Sequence, residues 1–313
     1  MATVVITGGA GFIGSNLAHA LVERGDTVRV LDDLSSGRRE NLADIADHVE
    51  LIVGDIRNRA DVDRAMQGAD YVLHQAALPS VVRSVADPVT SHDVNVNGML
   101  QVLEGARRAG IKRLVYAASS SAYGETPVLP KVETMTPQPI SPYGVQKLLG
   151  ELYAAVYTRV YGLDCVALRY FNVFGPRQSP KSEYAAVIPR FITLMQAGKR
   201  PTLYGDGGQT RDFCFIANVV EANLKALAAP AVPGNVYNVA CGNRYSLLDL
   251  VASINVALGS HIEPIFEPAR SGDIRDSLAD ITAARRDLGY TASVDFAEGL
   301  RRAVTWYAAH PAG

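Results

Sequence analysis

The chain has 313 residues, 48% of them hydrophobic, a length that suits one large α/β unit or two fused domains and supplies a sizeable core. Lysine and arginine number 30 against 32 aspartates and glutamates, so there is no basic excess of the kind that binds nucleic acid or anionic lipid. Composition and charge therefore favour a small-molecule partner.

The cysteines and the apolar segments indicate the compartment. Cys165, Cys214 and Cys241 are an odd number at wide spacing, which predicts buried free thiols in a reducing environment. The first apolar run lacks the features of a secretion signal, and no segment reaches the about 20 apolar residues of a membrane span. We therefore expect a cytoplasmic protein with no membrane contact. The histidines form no metal-spaced pair, so no metal site is predicted.

Short apolar runs alternate with helical patterns over the first half of the chain. The runs are nearly continuous in valine, isoleucine, leucine and alanine, as in strands that are covered on both faces. This alternation predicts an α/β fold with a doubly wound parallel sheet. The predicted strands are Thr3–Thr7, Thr27–Leu31, Val49–Val53, Tyr71–Gln75, Arg113–Ala118 and Asp164–Arg169.

The first predicted strand ends in a glycine-rich turn, Thr7-Gly-Gly-Ala-Gly-Phe-Ile-Gly14, and a helical pattern follows at once. Such a turn brings the backbone and the N-terminus of the helix against a pyrophosphate. The second strand leads to Asp32, where an acid accepts hydrogen bonds from an adenosine ribose. Together these features predict a Rossmann-type dinucleotide site. The residues expected in its phosphate loop are Gly8, Gly11, Phe12, Ile13 and Gly14.

The acid after the second strand also bears on the choice of dinucleotide. Asp32 repels a ribose 2′-phosphate and so favours NAD over NADP. Arg38 and Arg39 would favour NADP instead, but such a pair is typical of the start of a solvent-exposed helix. Asp55 and Ile56 follow the third strand, where an adenine edge would lie, and an ordinary strand-end cap explains them equally well.

The later part of the chain is richer in proline and glycine, as in Phe174-Gly-Pro-Arg-Gln-Ser-Pro180. This composition indicates a smaller, loop-rich C-terminal region that binds the substrate. One more strand pattern, Asn235–Val239, is expected to return to the sheet. We predict a dinucleotide-binding domain over 1–172, with its sheet completed by about 201–261, and a discontinuous substrate-binding domain over 173–200 and 262–313.

Two motifs with hydroxyl side chains follow the fifth strand: Ser119-Ser-Ser-Ala-Tyr-Gly124 and Ser141-Pro-Tyr-Gly-Val-Gln-Lys147. Tyr143 and Lys147 lie four apart on one helical face, so we expect the ammonium to lower the pKa of the phenol from about 10. A phenol of lowered pKa is a usable base, and Ser119 can hydrogen-bond the same substrate hydroxyl and relay its proton. The alternative is a surface pair without a catalytic role.

With Leu168-Arg-Tyr-Phe-Asn172 and Arg211-Asp-Phe213, these motifs make the chain resemble the extended short-chain dehydrogenase/reductase family over essentially its whole length. Within it the chain resembles the UDP-glucose 4-epimerases, and among them the UDP-N-acetylglucosamine 4-epimerase subgroup. The resemblance implies NAD as cofactor. It places Ala76, Tyr143, Lys147 and Tyr170 at the cofactor, and it implies the catalytic group Tyr143, Lys147 and Ser119.

The resemblance also implies a reaction without net redox change. Tyr143 takes the proton of the sugar 4-hydroxyl while hydride passes from C4 to NAD. The resulting 4-keto sugar turns its other face to the cofactor and receives the hydride back with inverted configuration. Because the sugar must turn while the diphosphate is held, arginines are sensible phosphate ligands. The implied substrate residues are Ser120, Ser121, Asn172, Gln178, Ala186, Val187, Leu203, Tyr204, Arg211, Arg270, Asp273 and Ser277.

The specific substrate is expected to depend on Ser277. The resemblance places this serine at a wall of the sugar pocket where narrower members carry a bulky aromatic residue. A serine leaves volume for an acetamido group, so we expect turnover of UDP-GlcNAc and UDP-GalNAc alongside UDP-Glc and UDP-Gal. A loop serine without such a role is the alternative.

The same motifs also bear on which other reactions of the family this chain could catalyse. Dehydratases resemble this chain but need an acid pair where Ser120 and Ser121 stand, so dehydration is disfavoured. Epimerisation or decarboxylation of UDP-glucuronate stays open, since the serines or Arg177 could receive a carboxylate. A non-catalytic NAD-sensing protein is the alternative from another class.

The helical pattern from Tyr143 to Tyr161 carries an apolar band wider than one face of a sheet needs. The pattern from Asn97 to Arg108 is also rich in apolar residues. We therefore predict a two-fold homodimer built from helix pairs, with burial inside one subunit as the alternative.

Overall fold

The computed structural model describes residues 1–180, 187–230, 234–269 and 275–310. In chain order its strands are β1 (Thr3–Thr7), β2 (Thr27–Asp32), β3 (Val49–Val53), β4 (Tyr71–His74), β5 (Arg113–Ser119), β6 (Cys165–Tyr170), β7 (Val173–Phe174), β8 (Thr202–Tyr204), β9 (Thr210–Arg211), β10 (Cys214–Phe215), β11 (Val236–Val239), β12 (Tyr245–Ser246) and β13 (Ile265–Glu267). Seven of these form one parallel sheet in the order β11-β6-β5-β4-β1-β2-β3. The predicted α/β fold with a parallel sheet is therefore confirmed.

Helices cover both faces of this sheet. They are α1 (Phe12–Glu23), α2 (Arg59–Met66), α3 (Val81–Ala86), α4 (Pro88–His92), α5 (Gly98–Ala109), α6 (Pro142–Tyr161), α7 (Val187–Gln196), α8 (Ile216–Ala228), α9 (Leu247–Leu258), α10 (Thr282–Leu288) and α11 (Phe296–Ala309). In the described part of the chain there are also two 3-10 segments, Arg39–His48 and Ser120–Tyr123, and a π segment, Asp93–Asn97. Within the described ranges, no helix is both long and apolar enough to cross a membrane.

The strands are apolar at successive positions because each face of the sheet meets a helical layer. In β1, Val4 and Ile6 belong to the core that contains α1 and α8, whereas Val5 belongs to the core that contains α2, α5 and α6. Side chains of a strand alternate between its faces, so a doubly covered strand needs apolar residues at every position. This is why the runs predicted the strands to within one residue at each end.

The order of the strands creates the crevice that a ligand needs. β1 is followed by β2 and β3 on one side, and the chain then crosses to β4 on the other side of β1. The carboxyl ends of β1 and β4 therefore flank a topological switch point, where ligands of open α/β sheets bind. β11 pairs with β6 at the far edge, so the predicted return of the later chain to the sheet is confirmed.

Candidate active site

The glycine turn after β1 is built by close backbone contacts. Gly8 has φ +69°, and a Cβ there would lie 2.7 Å from the backbone of Ala76. A Cβ at Gly14 would lie 2.2 Å from the carbonyl oxygen of Gly8. These positions therefore require glycine. They bring Ala76 against the turn, and its contact with the cofactor stays a prediction.

Gly11 faces the space in front of α1. A Cβ there would meet only the Gly8 carbonyl oxygen, at 3.2 Å, and Gly11 is the N-cap of α1 without a side-chain cap. Amides of the first turn of a helix have no partner within the helix and bind anions. Phe12 and Ile13 lie half-buried in this turn. The cradle therefore fits the pyrophosphate of NAD, and Gly8 to Gly14 would hold it.

Asp32 has a role in the turn that the sequence did not predict. Its carboxylate accepts hydrogen bonds from the amides of Ala10 and Leu34, both at 2.9 Å, and burial raises its pKa. The carboxylate thus ties the glycine turn to the segment after β2. Each oxygen keeps a further lone pair, which a ribose hydroxyl can use.

Asp55 and Ile56 lie after β3 on the same edge of the sheet. Arg57 holds the pKa of the Asp55 carboxyl below its usual range and also bridges to Asp93. The side chain of Ile56 is buried, and a Cβ at Gly98 would lie 2.6 Å from it. Both side chains are therefore engaged within the protein, and the adenine contact stays a prediction.

The predicted catalytic residues meet at the carboxyl end of β5. Tyr143 is in the first turn of α6, whose N-cap Ser141 accepts a hydrogen bond from the amide of Gly144 at 3.1 Å. The hydroxyl of Ser119, the last residue of β5, is close enough to the phenol of Tyr143 to lower the pKa of that phenol, against the larger effect of burial. Lys147 donates from Nζ to the carbonyl oxygen of Ala117 at 2.8 Å. The serine, the phenol and the ammonium therefore converge as the sequence predicted.

The electrostatics of this group differ from the prediction. Burial raises the pKa of Tyr143 to about 12, opposed by the hydrogen bond from Ser119. Nζ of Lys147 lies 5.9 Å from the centroid of the Tyr143 ring, and burial lowers the pKa of this lysine to about 8, opposed by Glu151. In the protein without cofactor, burial therefore outweighs the expected effect of the Lys147 ammonium on the pKa of the phenol. A further positive charge, such as an oxidised nicotinamide ring, is needed to lower the pKa.

Lys147 gives a prediction about stability. Its pKa is about 8 in the folded chain against 10.5 unfolded, so between these values the unfolded state binds more protons and stability rises with pH. Below pH 8 the buried ammonium costs free energy. We expect Lys147→Met to abolish activity. Because the substitution removes the buried charge, it should raise the free energy of unfolding at pH 7 by about 1–2 kcal/mol, a figure that already allows for the lost hydrogen bond to Ala117.

Urea unfolding of both proteins at pH 7 and at pH 10 measures this effect. The difference in free energy of unfolding between the variant and the parent should shrink at pH 10. Lys199→Met, a substitution at an exposed lysine, serves as the control. A Lys147→Met protein less stable than the parent at pH 7 would refute the inference.

Tyr170 ends β6, in register with Ser119 of β5. Its hydroxyl accepts a hydrogen bond from Nδ2 of Asn223 at 2.9 Å and lies 3.2 Å from Nε2 of Gln75. The side chain is buried, so its hydroxyl is engaged inside the protein. A cofactor contact by that hydroxyl is therefore not supported, and the backbone is the part of Tyr170 that can serve.

A cavity of about 280 Å³ lies on the C-terminal side of the sheet. Four predicted substrate residues line it: Asn172, Val187, Tyr204 and Arg211. Asn172 has φ +28° and donates from Nδ2 to the carbonyl oxygen of Asp212 at 3.2 Å. The cavity has the mixture of apolar walls and a few polar groups that small ligands bind. Its other lining residues are Val173, Phe174, Ile188, Arg190, Phe191, Thr202, Gln209, Phe213 and Leu247.

None of these nine other lining residues was predicted, and Arg190 and Gln209 are two of the polar ones. Arg190 is the one basic residue in the apolar pattern of α7, a signal that could have been used. Gln209 gave no signal: its Nε2 donates to the carbonyl oxygen of Tyr204 at 2.9 Å, and its Oε1 is buried without a partner among the described residues. Both residues add polar groups to the cavity.

The side chain of Leu203 does not reach the cavity, so only its backbone could contact the uracil. Its side chain is 0% exposed and belongs to the core, because the neighbouring residue Tyr204 takes the cavity face of β8. Gln178 lies outside the cavity lining and donates from Nε2 to the carbonyl oxygen of Val173. Ser277 is half-buried beside β9, where its amide donates to the carbonyl oxygen of Thr210 at 3.1 Å.

Of the remaining predicted substrate residues, two follow β5 and three lie in segments that the structure does not describe. Ser120 and Ser121 are half-buried beside Ser119, and the hydroxyls of Ser119 and Ser121 lie 3.1 Å apart. Both therefore lie beside Ser119, and their contact with the substrate stays a prediction. Ala186, Arg270 and Asp273 lie outside the described residues.

Arg177 does not line the cavity. Its φ is +69°, and its Nη1 donates to Oδ1 of Asn16 in α1 at 3.1 Å. Asp44 lies 3.8 Å from its Nη2. These contacts direct the guanidinium toward α1, so they do not support Arg177 as a receiver of a sugar carboxylate.

Fold and site together define a class of protein: a dinucleotide-dependent enzyme with a Ser/Tyr/Lys group beside a Rossmann-type crevice. Residues 4–240 match the model described as the NAD dependent epimerase/dehydratase family. The chain is 41% identical over 310 residues to a UDP-glucose 4-epimerase of Mycolicibacterium smegmatis, with 97% of each chain covered.

Solved structures agree with this assignment. The UDP-N-acetylglucosamine 4-epimerase from Methanobrevibacter ruminantium M1, in complex with UDP-N-acetylmuramic acid, matches with a TM-score of 0.94, 40% identity and 99% of each chain covered. The Thermus thermophilus UDP-glucose 4-epimerase in complex with NAD matches with a TM-score of 0.88 and 37% identity, covering 98% of this chain and 99% of that chain. The chain therefore belongs to the NAD dependent epimerase/dehydratase family. The predicted family, the enzyme class and NAD as cofactor are confirmed.

Proposed function

We propose that this enzyme is a 4-epimerase of UDP-hexoses, acting on UDP-Glc and UDP-Gal and on their N-acetylated counterparts through a transient 4-keto sugar. The observation that carries the proposal is the convergence of Ser119, Tyr143 and Lys147 beside the strand switch point. Relatives named as UDP-sugar 4-epimerases over almost the full length support it.

Each residue of the group has a distinct task. Tyr143 removes the proton of the sugar 4-hydroxyl and later returns it, and Ser119 holds that hydroxyl in place through its own hydrogen bond. Lys147 holds a positive charge near the phenol and would contact the nicotinamide ribose of bound NAD. Bound NAD supplies the acceptor and donor of the C4 hydride. Because burial raises the pKa of Tyr143 in the protein alone, deprotonation is coupled to binding of the positively charged cofactor.

Three residues that line the cavity support a proposal for the other end of the substrate. Arg211 would hold the diphosphate, Tyr204 would pack on the uracil, and Asn172 would lie near the diphosphate and the sugar. A ligand held at one end can turn its sugar without leaving the enzyme. Arg270 and Asp273 stay predictions for the diphosphate and the ribose.

Breadth of substrate is proposed from Ser277. A small side chain at the sugar wall leaves volume for an acetamido group. The relative from M. ruminantium was solved with UDP-N-acetylmuramic acid, an N-acetylated ligand, which supports an N-acetyl substrate here.

A comparison of substrates tests the proposal. The purified chain is incubated separately with UDP-Gal, UDP-GalNAc and UDP-GalA, and the C4 configuration of each product is followed by NMR. We expect inversion of the first two. Inversion of UDP-GalA alone would assign the enzyme to glucuronates, and no turnover of any substrate would favour an NAD-sensing protein.

The dimer is proposed from the exposed face of α6. Leu152 is 55% exposed and Val156 49%, and Val145 and Val160 continue the same apolar stripe. Exposed apolar stripes of this extent are typical of interfaces between helices. We propose that two copies pair through α5 and α6, in the cytoplasm.

Charge placed on this stripe should separate the subunits. We expect Leu152→Glu combined with Val156→Glu to sediment as a monomer at micromolar concentration, because a pairing surface cannot bury unpaired carboxylates. Val256→Glu on α9, at a residue that is 84% exposed, should leave the dimer intact. A parent chain that already sediments as a monomer would overturn the assignment.

A further inference from the structure

Helix α6 carries three ionisable side chains at intervals of four residues: Tyr143, Lys147 and Glu151. Residues four apart lie on one face of a helix, one turn after another, and their side chains are neighbours. Lys147 and Glu151 are each only 4% exposed. The proposed reaction uses the phenol and the ammonium, and it leaves the buried carboxylate of Glu151 without a task.

Arg169 of β6 holds Glu151 in place. Its Nε donates to Oε1 of Glu151 at 2.9 Å and its Nη2 donates to Oε2 at 2.7 Å, so both carboxylate oxygens are fixed. Arg169 is paired with Ala118 of β5. Nζ of Lys147 donates to the carbonyl oxygen of Ala117, the residue before Ala118. The ion pair and the ammonium therefore lie against the same stretch of β5.

The ion pair is poorly explained by stability alone. The side chains of Glu151 and Arg169 are each 3% exposed. Removal of two charges from water costs about as much free energy as their attraction returns, so apolar residues of similar volume often serve a core equally well. A task in the neighbouring site would account for charges at this position.

The other ionisable rings near Lys147 are uncharged at neutral pH. Its Nζ lies 5.1 Å from the centroid of the Tyr116 ring, and burial raises the pKa of that phenol. His74 of β4 stacks on Tyr116, and burial lowers the pKa of this imidazole to about 3. Burial likewise raises the pKa of Tyr143 and of Tyr123, which follows β5.

Charges on the helices packed against α6 lie toward the surface. Glu104 of α5 and Asp93 of the π segment form ion pairs there with arginines. Arg83 of α3 and His92 of α4 are exposed. In the part of the chain that the structure describes, the buried ion pair is therefore the charge that faces the Lys147 ammonium.

From this alignment we propose that Glu151 is a positioning residue for the reaction: its carboxylate, fixed by Arg169, keeps the Lys147 ammonium charged inside the buried site. The inference rests on the proposed function, in which Lys147 stays positive beside an oxidised nicotinamide ring that repels it. The carboxylate acts against burial, which lowers the pKa of Lys147 to about 8.

NMR reads the charge of Lys147 directly. The holoenzyme is labelled with ¹³C at Cε of lysine, and the Lys147 signal, identified by its absence in Lys147→Met, is followed as the pH is raised. In Glu151→Gln the titration midpoint should fall by about one pH unit or more, since an opposite charge at this range shifts a pKa by about 1–3. The alkaline fall of kcat for UDP-Gal should move to lower pH by the same amount, with KM close to that of the parent.

A second variant removes both charges, because Glu151→Gln leaves a buried guanidinium without its counter-ion. In Glu151→Met combined with Arg169→Met, the midpoint should lie between those of the parent and of Glu151→Gln, since the repelling guanidinium is removed as well. Melting curves check that each variant is folded.

Asp164→Asn is the matched control. It breaks the other ion pair between β5 and the start of β6, in which Nη2 of Arg113 lies 2.6 Å from Oδ2 of Asp164, at the opposite end of β5. The Lys147 midpoint and the kcat profile should equal those of the parent.

A folded double variant with the parent's midpoint and kcat profile would show that the pair is only structural and would overturn the proposal. The midpoint is measured without turnover. A parent that inverts no UDP-hexose would therefore refute the proposed function, whereas a lowered midpoint would still support the effect of Glu151 on Lys147.

Discussion

Tyr143→Phe should lower kcat for UDP-Gal epimerisation by about 10³-fold, the scale of a lost general base. The substitution removes one oxygen from a buried side chain and leaves the ring, and with it the packing of α6 against Ser119 and Lys147. KM and the content of bound NAD should therefore stay close to those of the parent. The measurement is steady-state kinetics together with release and quantification of NAD from the denatured protein.

Tyr161→Phe is the matched control for this change. It makes the same chemical substitution at the exposed end of the same helix, where the ring is 52% exposed. Its kcat should equal that of the parent. If Tyr143→Phe instead keeps its kcat within about tenfold, the proton is taken by another group and the assignment of the base fails.

Ser277→Tyr should separate the two classes of substrate. A phenol at this position would fill the volume proposed for an acetamido group, and forcing the group in costs about 1–3 kcal/mol. We therefore expect kcat/KM for UDP-GalNAc to fall by about 100-fold, while that for UDP-Gal changes little. The backbone hydrogen bond from Ser277 to Thr210 does not depend on the side chain, so the fold should be kept.

Ser277→Ala is the control, since a small side chain is retained and both substrates should still turn over. Coupled assays with each UDP-sugar measure the effect. Equal loss, or equal survival, of the two activities in Ser277→Tyr would show that Ser277 is not the wall of the sugar pocket.

The parts of the site that sequence predicted are those set by local rules. The spacing of Tyr143 and Lys147 on one helix, and the position of Ser119 at the end of a strand, follow from the periods of regular structure. The glycine turn is equally local, because Gly8 needs a left-handed backbone and Gly14 a close approach. Continuous apolar runs predicted the sheet because both faces are covered.

The parts that sequence missed depend on which distant segments meet. β8 has three residues, too few for a period of two to reveal that Leu203 faces the core and Tyr204 the cavity. Gln209 is brought to the cavity by its bond to the Tyr204 carbonyl, which no local pattern announces. The effect of burial on the pKa of Tyr143 was not predicted for the same reason, since burial is set by the whole fold.

Transfer of hydrogen at C4 is the step on which the account depends. UDP-Gal deuterated at C4 is incubated with the purified enzyme in ordinary water, and the product is examined by NMR and mass spectrometry. The account predicts that UDP-Glc forms with its deuterium still at C4 and no solvent hydrogen on carbon. Loss of the label to water during inversion would contradict it.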